Sequence, residues 1–272
     1  MSSNSPELKA KLLLEDYNMH SLKELDLEKI TDGEMLIVEE ADLKNHLGRI
    51  SFNSDYGLIK IDSKIKDMGQ KRFTLAHEMG HYFNEKFKIQ NSKFRDIFYF
   101  RENGNTLLSS EGREGAANTF AAELLMHKPW FSDYIKNRKI NFELIKDIAA
   151  EFKVSLTAAA IRYAGIGKYP VAVIMSKEGY VSWSFKSDYF PFKWIPKGYK
   201  VRRESGAYTS WADNKDNFFR YNDVQTEPDL MPACVWFAED RNCREDVYLY
   251  EQNVAMPKYN SVFTLVWESE WK

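Results

Sequence analysis

Hydrophobic and polar positions along the chain mark out a run of short elements whose texture changes near Lys168. Pro6–Tyr17 (PELKAKLLLEDY) reads as an amphipathic helix with Ser5 as N-cap and proline in the first turn. Glu34–Glu40 (EMLIVEE) reads as a strand. Gly48–Phe52 (GRISF) and Gly57–Ile61 (GLIKI) flank the turn formers Asn53, Ser54, Asp55 and Tyr56, which predicts a hairpin. A helix is expected from about Lys66 to Asn84, then a polar segment from Glu85 to Ser110. A second helix spans Glu111 to about Met126, with Ser110 as cap and Pro129 soon after its end. Phe142–Phe152 (cap Asn141) and Leu156–Ala164 (cap Ser155) complete the helical part, and Gly165 and Gly167 stop it.

Beyond Lys168 strands take over. Tyr169–Met175 and Tyr180–Phe185 surround Ser176–Gly179 as a hairpin, and Val247–Gln252 and Val262–Glu268 are further strands. Six of the seven tryptophans follow residue 180, so this part has the means to build its own core. The expected division is residues 1–134, a helical segment 135–168, and a β-rich domain 169–272 with a regulatory or substrate-docking role.

Composition narrows the function classes. A net charge of -2 gives no global pull toward nucleic acid or anionic membrane. No apolar run is long enough to cross a bilayer, and the N-terminus has no basic stretch followed by an apolar one, so a cytoplasmic protein is expected. Cys234 and Cys243 are too few for a disulfide framework and are expected as reduced thiols, although neither a bond nor a metal between them is excluded.

The strongest chemical signal is His77-Glu78-Met79-Gly80-His81, a HExxH run inside a segment that can be helical. On a helix, positions i and i+4 share a face, so the two imidazoles converge on one tetrahedral ion. Glu78 then projects beside the metal, placed to take a proton from water as it attacks a carbonyl. The metzincin third histidine is missing, because its position holds Phe87. His127 is a possible donor but reads as a solvent-facing residue past the second helix. Glu111, Glu114 and Glu123 are the carboxylates on that helix. At ~100° per residue, Glu114 shares a face with Ala117, Asn118, Ala121 and Leu125, the small and apolar side that can approach another helix. Glu123 points the opposite way, and Glu111 sits at the fraying start. Glu114 is the third ligand this geometry selects. Gly80 and Ala117, Ala121 and Ala122 suit close helix packing, and Asn118 could hold a ligand from behind by a hydrogen bond.

Arg72–Tyr82 (RFTLAHEMGHY) with Glu114–Met126 (EGAANTFAAELLM) resembles the ImmA/IrrE family of metallopeptidases. The family pattern is RFTLAHELGH followed by ExxANxFAAxLLMP; here His127 and Lys128 separate Met126 from the proline. The resemblance covers roughly residues 30–165. It implies an α+β fold with a zincin-like core, Zn²⁺ held by His77, His81 and Glu114, and Glu78 as catalytic acid and base. It also implies a protein substrate, a helix-turn-helix repressor or antitoxin encoded nearby, with a proteolytic toxin as the variant theme. Ile145–Gly165 has helix-turn-helix rhythm. DNA binding is not expected, since Leu156, Thr157 and Ala158–Ala160 cannot read base edges and Arg162 is the lone cation of that helix. The competing class is a non-catalytic zinc-containing regulator that binds DNA or protein.

Overall fold

The helix starts are where the side-chain oxygens put them. In the computed structural model Ser5 Oγ accepts from the Leu8 amide at 3.3 Å and opens α1 (Pro6–Asp16). Asp26 Oδ1 accepts from Glu28 and Lys29 at 3.0 and 3.1 Å and opens α2 (Leu27–Gly33), a helix too short to show periodicity. Asn141 Oδ1 caps α6 (Phe142–Phe152) at 2.8 Å and Ser155 Oγ caps α7 (Leu156–Ile166) at 3.2 Å, as expected. The structure describes residues 5–44, 46–53, 55–85, 95–101, 112–193, 195–216, 223–244 and 246–268. The expected cap Ser110 and the alternative ligand Glu111 lie outside them, as do Trp194 and Trp271.

The chain divides into two units, residues 1–136 with 147–159 and residues 137–146 with 160–272, the division falling inside α6 and α7. The first is built on a four-stranded sheet, β1 (Leu36–Ala41), β2 (His46–Phe52), β3 (Gly57–Asp62) and β4 (Arg95–Arg101), in the order β1-β3-β2-β4. β1 and β3 are parallel; the expected β2–β3 hairpin is antiparallel, its turn closed by Asn53 Oδ1 accepting from Asp55 and Tyr56. β4 falls within the segment read as merely polar; RDIFYFR has the aromatic content of a strand but no partner close in sequence. Helix α3 (Met68–Glu85) packs on β2 and β3, and α4 (Gly112–Leu125) packs on α3. Phe52 meets Tyr82 edge-on at 5.2 Å and Phe83 stacks on Phe120 at 5.4 Å, which ties sheet to helix and helix to helix. Pro129 begins a new helix, α5 (Lys128–Ile135), where it was read only as the terminator of α4.

The second unit is an antiparallel sheet of β5 (Val171–Lys177), β6 (Tyr180–Lys186), β7 (Val224–Gln225), β8 (Asp229–Pro232), β9 (Tyr248–Met256) and β10 (Ser261–Glu268). The path is β6-β5-β10-β9-β7, with β8 also on β9. Helix α8 (Gly206–Asn214) and the turn α9 (Cys234–Phe237) accompany it. Phe192 and Phe237 stack at 4.6 Å in a core shared with Val181, Trp236, Leu249 and Val266. The expectation of two reduced thiols is corrected. Cys234 and Cys243 are joined in a disulfide, because the chain from α9 turns back to bring their Cα atoms to 5.7 Å.

One buried carboxylate organises α8. Glu251 Oε1 accepts from Ser205 Oγ at 3.0 Å, Ala207 N at 2.8 Å and Asn253 Nδ2 at 3.1 Å, and Oε2 accepts from Gly206 N at 3.3 Å. It lies at the positive end of the helix dipole. Glu251→Ala strands those donors in the core, and a urea titration should show the chain destabilised by ~2–4 kcal/mol. An unchanged midpoint would show that water or neighbours replace the carboxylate.

Candidate metal centre

Helix α3 sets His77 and His81 one turn apart on a face that is closed to solvent, with residual exposures of 0 and 1%. Their rings meet edge-on at 4.7 Å, and the two Nε2 atoms are 3.1 Å apart. The first turn of α4 delivers Glu114 to the same point. Its Oε2 is 3.3 Å from His77 Nε2 and its Oε1 is 3.3 Å from His81 Nε2. The three ligand atoms lie within 4.8 Å of one another. The residues selected for the metal from helical geometry are therefore brought together.

The meeting requires the two helices to touch at backbone distance. A Cβ on Gly80 would fall 2.9 Å from the Ala117 carbonyl oxygen and 3.0 Å from Ala117 Cα. Only glycine fits there, which is why a residue that disfavours a helix interior stands in the middle of α3. The face of α4 turned inward carries Ala117, Ala121 and Leu125, all fully buried, and Asn118.

Asn118 fixes the chemistry of His77. Its Oδ1 is 2.8 Å from His77 Nδ1. A carbonyl oxygen only accepts, so Nδ1 carries the proton and Nε2 presents its lone pair toward Glu114. Burial lowers the pKa of His77, which keeps the ring neutral. Burial alone would raise the Glu114 carboxyl, but the facing His77 and His81 rings outweigh it and hold Glu114 at about 2. A neutral imidazole and an ionised carboxylate are the metal-binding forms. Two ring nitrogens and a carboxylate oxygen thus converge on one point. A cation resolves that crowding, so the donor set fits a metal ion with mixed nitrogen and oxygen preference.

Glu78 lies beside this cluster and is wholly buried. Among the described residues, neither carboxylate oxygen has a hydrogen-bond partner. Burial, then the charge of Glu114, pushes its pKa well above the usual carboxylate range. Sequence reasoning missed what covers it. A Cβ on Gly48 of β2 would fall 2.6 Å from Glu78 Oε1 and 2.7 Å from Thr74 Cγ2, so Gly48 is the space the carboxylate occupies. The available signal was a glycine within a strand, which marks a close approach.

One other reading changes. His127 is not solvent-facing. Its Nδ1 is 2.7 Å from Glu123 Oε1, its ring meets Trp130 edge-on at 5.0 Å, and its side chain is 12% exposed. Glu123 does point away from the metal site, as expected. It is buried, and its Oε1 also accepts from the Lys128 amide at 3.1 Å, which anchors the start of α5. The physical reason is the bend between α4 and α5, which folds His127 back over the last turn.

This pairing of HExxH with a glutamate on a second helix coincides with a family match over residues 34–163 to peptidase M78, the IrrE N-terminal-like domain. No curated protein matches the chain in sequence. Among solved structures it is similar to a Mycobacterium tuberculosis transcriptional regulator, at a TM-score of 0.58 and 13% identity, over 97% of this chain and 76% of that one. At that identity the likeness is one of fold. The M78 segment holds all of His77, Glu78, His81, Glu114 and Asn118. Among the described residues no helix is long and apolar enough to cross a membrane.

Asn118→Ala should leave the fold intact and weaken metal binding about 10–100-fold, because His77 loses its orientation. Competition against a chromogenic chelator measures this. Gly80→Ala should cost about 1–3 kcal/mol by forcing α4 outward, and lower metal affinity with it. If Gly80→Ala binds metal as tightly as the parent, the close approach is not what sets the site.

Proposed function

We propose that the chain is a zinc-dependent metalloendopeptidase, with a zincin-like core, that cleaves a protein partner. The observation that carries this reading is Glu78, a buried carboxylate set beside three converging ligand atoms and without a hydrogen-bond partner among the described residues. A site that only holds metal for structure has no use for an unsatisfied carboxylate, whose burial is destabilising. His77, His81 and Glu114 hold the ion, and Asn118 holds His77. Zinc, when bound there, supplies a Lewis acid for the scissile carbonyl and acidifies water. Glu78 takes the proton of the attacking water on its carboxylate, which burial disposes to accept it, and passes it to the leaving amine. The match of residues 34–163 to the M78 family model supports the peptidase chemistry. The resemblance to ImmA/IrrE proteins points to a cytoplasmic helix-turn-helix repressor or antitoxin as the partner.

The rival is a non-catalytic regulator, and the similar Mycobacterium tuberculosis protein is a transcriptional regulator. The DNA-reading element of such a protein would here be α6 and α7, joined through Lys153 in left-handed conformation (φ 52°). Ala158, Ala159 and Ala160 of α7 are buried, which favours a packing role for that helix.

Glu78→Gln separates the two. The variant should keep the metal and the fold and lose cleavage of the product of the adjacent gene by about 10²–10⁴-fold. A chelator should abolish parent activity and added zinc restore it. Cleavage that persists in zinc-loaded Glu78→Gln would sink the proposal.

A further inference from the structure

One helical turn beyond the metal centre stands a carboxylate that the chemistry does not use. Glu85 follows His77 and His81 at the same four-residue spacing, so the three side chains leave one stripe of α3. It is buried, and it is the last residue of α3, where the negative end of the helix dipole disfavours an acid. A buried charge in that place is destabilising unless a cation answers it. The cation comes from α4, whose Arg113 Nε lies 3.6 Å from Glu85 Oε1. Arg113 is the residue next to the ligand Glu114.

In order along α3, Gly80 meets Ala117, His81 meets Glu114 and Glu85 meets Arg113. The ligand pair His81 and Glu114 therefore stands between two anchors. The first, Gly80 on Ala117, sets how near the helices come. A second contact beyond the ligands sets the direction in which α4 leaves the first. The chain enters α4 through Gly112 in left-handed conformation (φ 67°), and among the described residues a Cβ there would meet nothing within 4 Å. Backbone conformation and not packing selects that glycine, so Gly112 holds nothing in place. Arg113 is the first side chain of α4, and it is anchored on α3. With the Arg113 side chain 58% exposed, water screens the pair, and such a pair adds little to stability. Its consequence is geometric.

We propose that Glu85 and Arg113 are positioning residues for the metal: their ion pair pins the first turn of α4 so that the Glu114 carboxylate stands across both histidine Nε2 atoms. The inference rests on the metal centre of the function proposed above and not on cleavage. It makes a prediction of sign that a purely electrostatic role does not share. By charge alone, losing the Arg113 cation near the site would tighten binding of a dication, and losing the Glu85 anion would weaken it. If the pair acts by position, either loss releases the same turn and both weaken binding.

The test uses the full chain with Zn²⁺ alone, in competition against a chromogenic chelator. Glu85→Gln and Arg113→Gln should each weaken Zn²⁺ binding about tenfold, the low end for residues that act behind a ligand. The double variant should be no weaker than the worse of the two, because both break one contact. Arg113→Lys keeps the charge on an exposed side chain and should recover most of the affinity. Loading with Co²⁺ gives a second readout: the visible absorption band should shift in Arg113→Gln, where the carboxylate ligand has moved, and match the parent in Arg113→Lys. Arg113→Gln that binds Zn²⁺ as tightly as the parent, or more tightly, would overturn the proposal. So would single losses that add in the double variant, or a lowered melt of the metal-free chain with Zn²⁺ affinity and Co²⁺ spectrum unchanged, since the pair would then serve the fold alone. A parent that binds no Zn²⁺ overturns the metal centre and this inference together, whereas a parent that binds and variants that match it overturn this inference alone.

Discussion

Helix α4 can approach α3 only as closely as the residues between them permit, and at Gly80 no side chain intervenes. The Ala117 backbone occupies the place where a Cβ would be. From that contact the rest of the site follows. One turn toward the start of α4, Glu114 reaches both Nε2 atoms at 3.3 Å; one residue beyond Ala117, Asn118 reaches the far side of the His77 ring at 2.8 Å. A carboxylate and a carboxamide from one helix thus grip two imidazoles of the other, and the spacing is set by packing of small residues rather than by the polar groups themselves. The aromatic pairs Phe83–Phe120 and Phe52–Tyr82 keep this contact registered on the sheet.

Two buried glutamates show how polar burial divides between structure and chemistry. Glu251 accepts four hydrogen bonds and caps α8, so its charge is compensated where it sits. Glu78 accepts none. An uncompensated carboxylate in a core is a stability loss that survives only where something else requires it. The surroundings of Glu78 are built to keep it that way. Gly48 leaves room for its head and Thr74 sends its hydroxyl to the Gln70 carbonyl at 2.9 Å, leaving a methyl group toward the acid. The carboxylate therefore holds a proton more readily than an exposed one would.

The first unit also presents the sheet in two different ways. Around β2 the strand faces α3 closely enough to seal Glu78, and around β1 the sheet stops with apolar side chains and backbone groups exposed. These features sit on separate strands of one sheet.

Local information in the sequence determined a great deal. Ser5, Asn141 and Ser155 cap the helices they were expected to cap, because a short oxygen-bearing side chain satisfies amides only three residues away. The β2–β3 hairpin, the two site helices and the choice of Glu114 over Glu123 were legible for the same reason: turn chemistry and helical period act within a few residues. What depended on distant segments was not. The strand order, the place of β4 and the cover that Gly48 gives Glu78 join residues whose separation leaves no periodic trace. The Cys234–Cys243 bond and the folding back of His127 are local in sequence, but both depend on where the chain bends after a helix, which a periodic pattern does not encode. Spacing along the chain fixed which side chains can share a face; only the packing of one face on another decided what each of them meets.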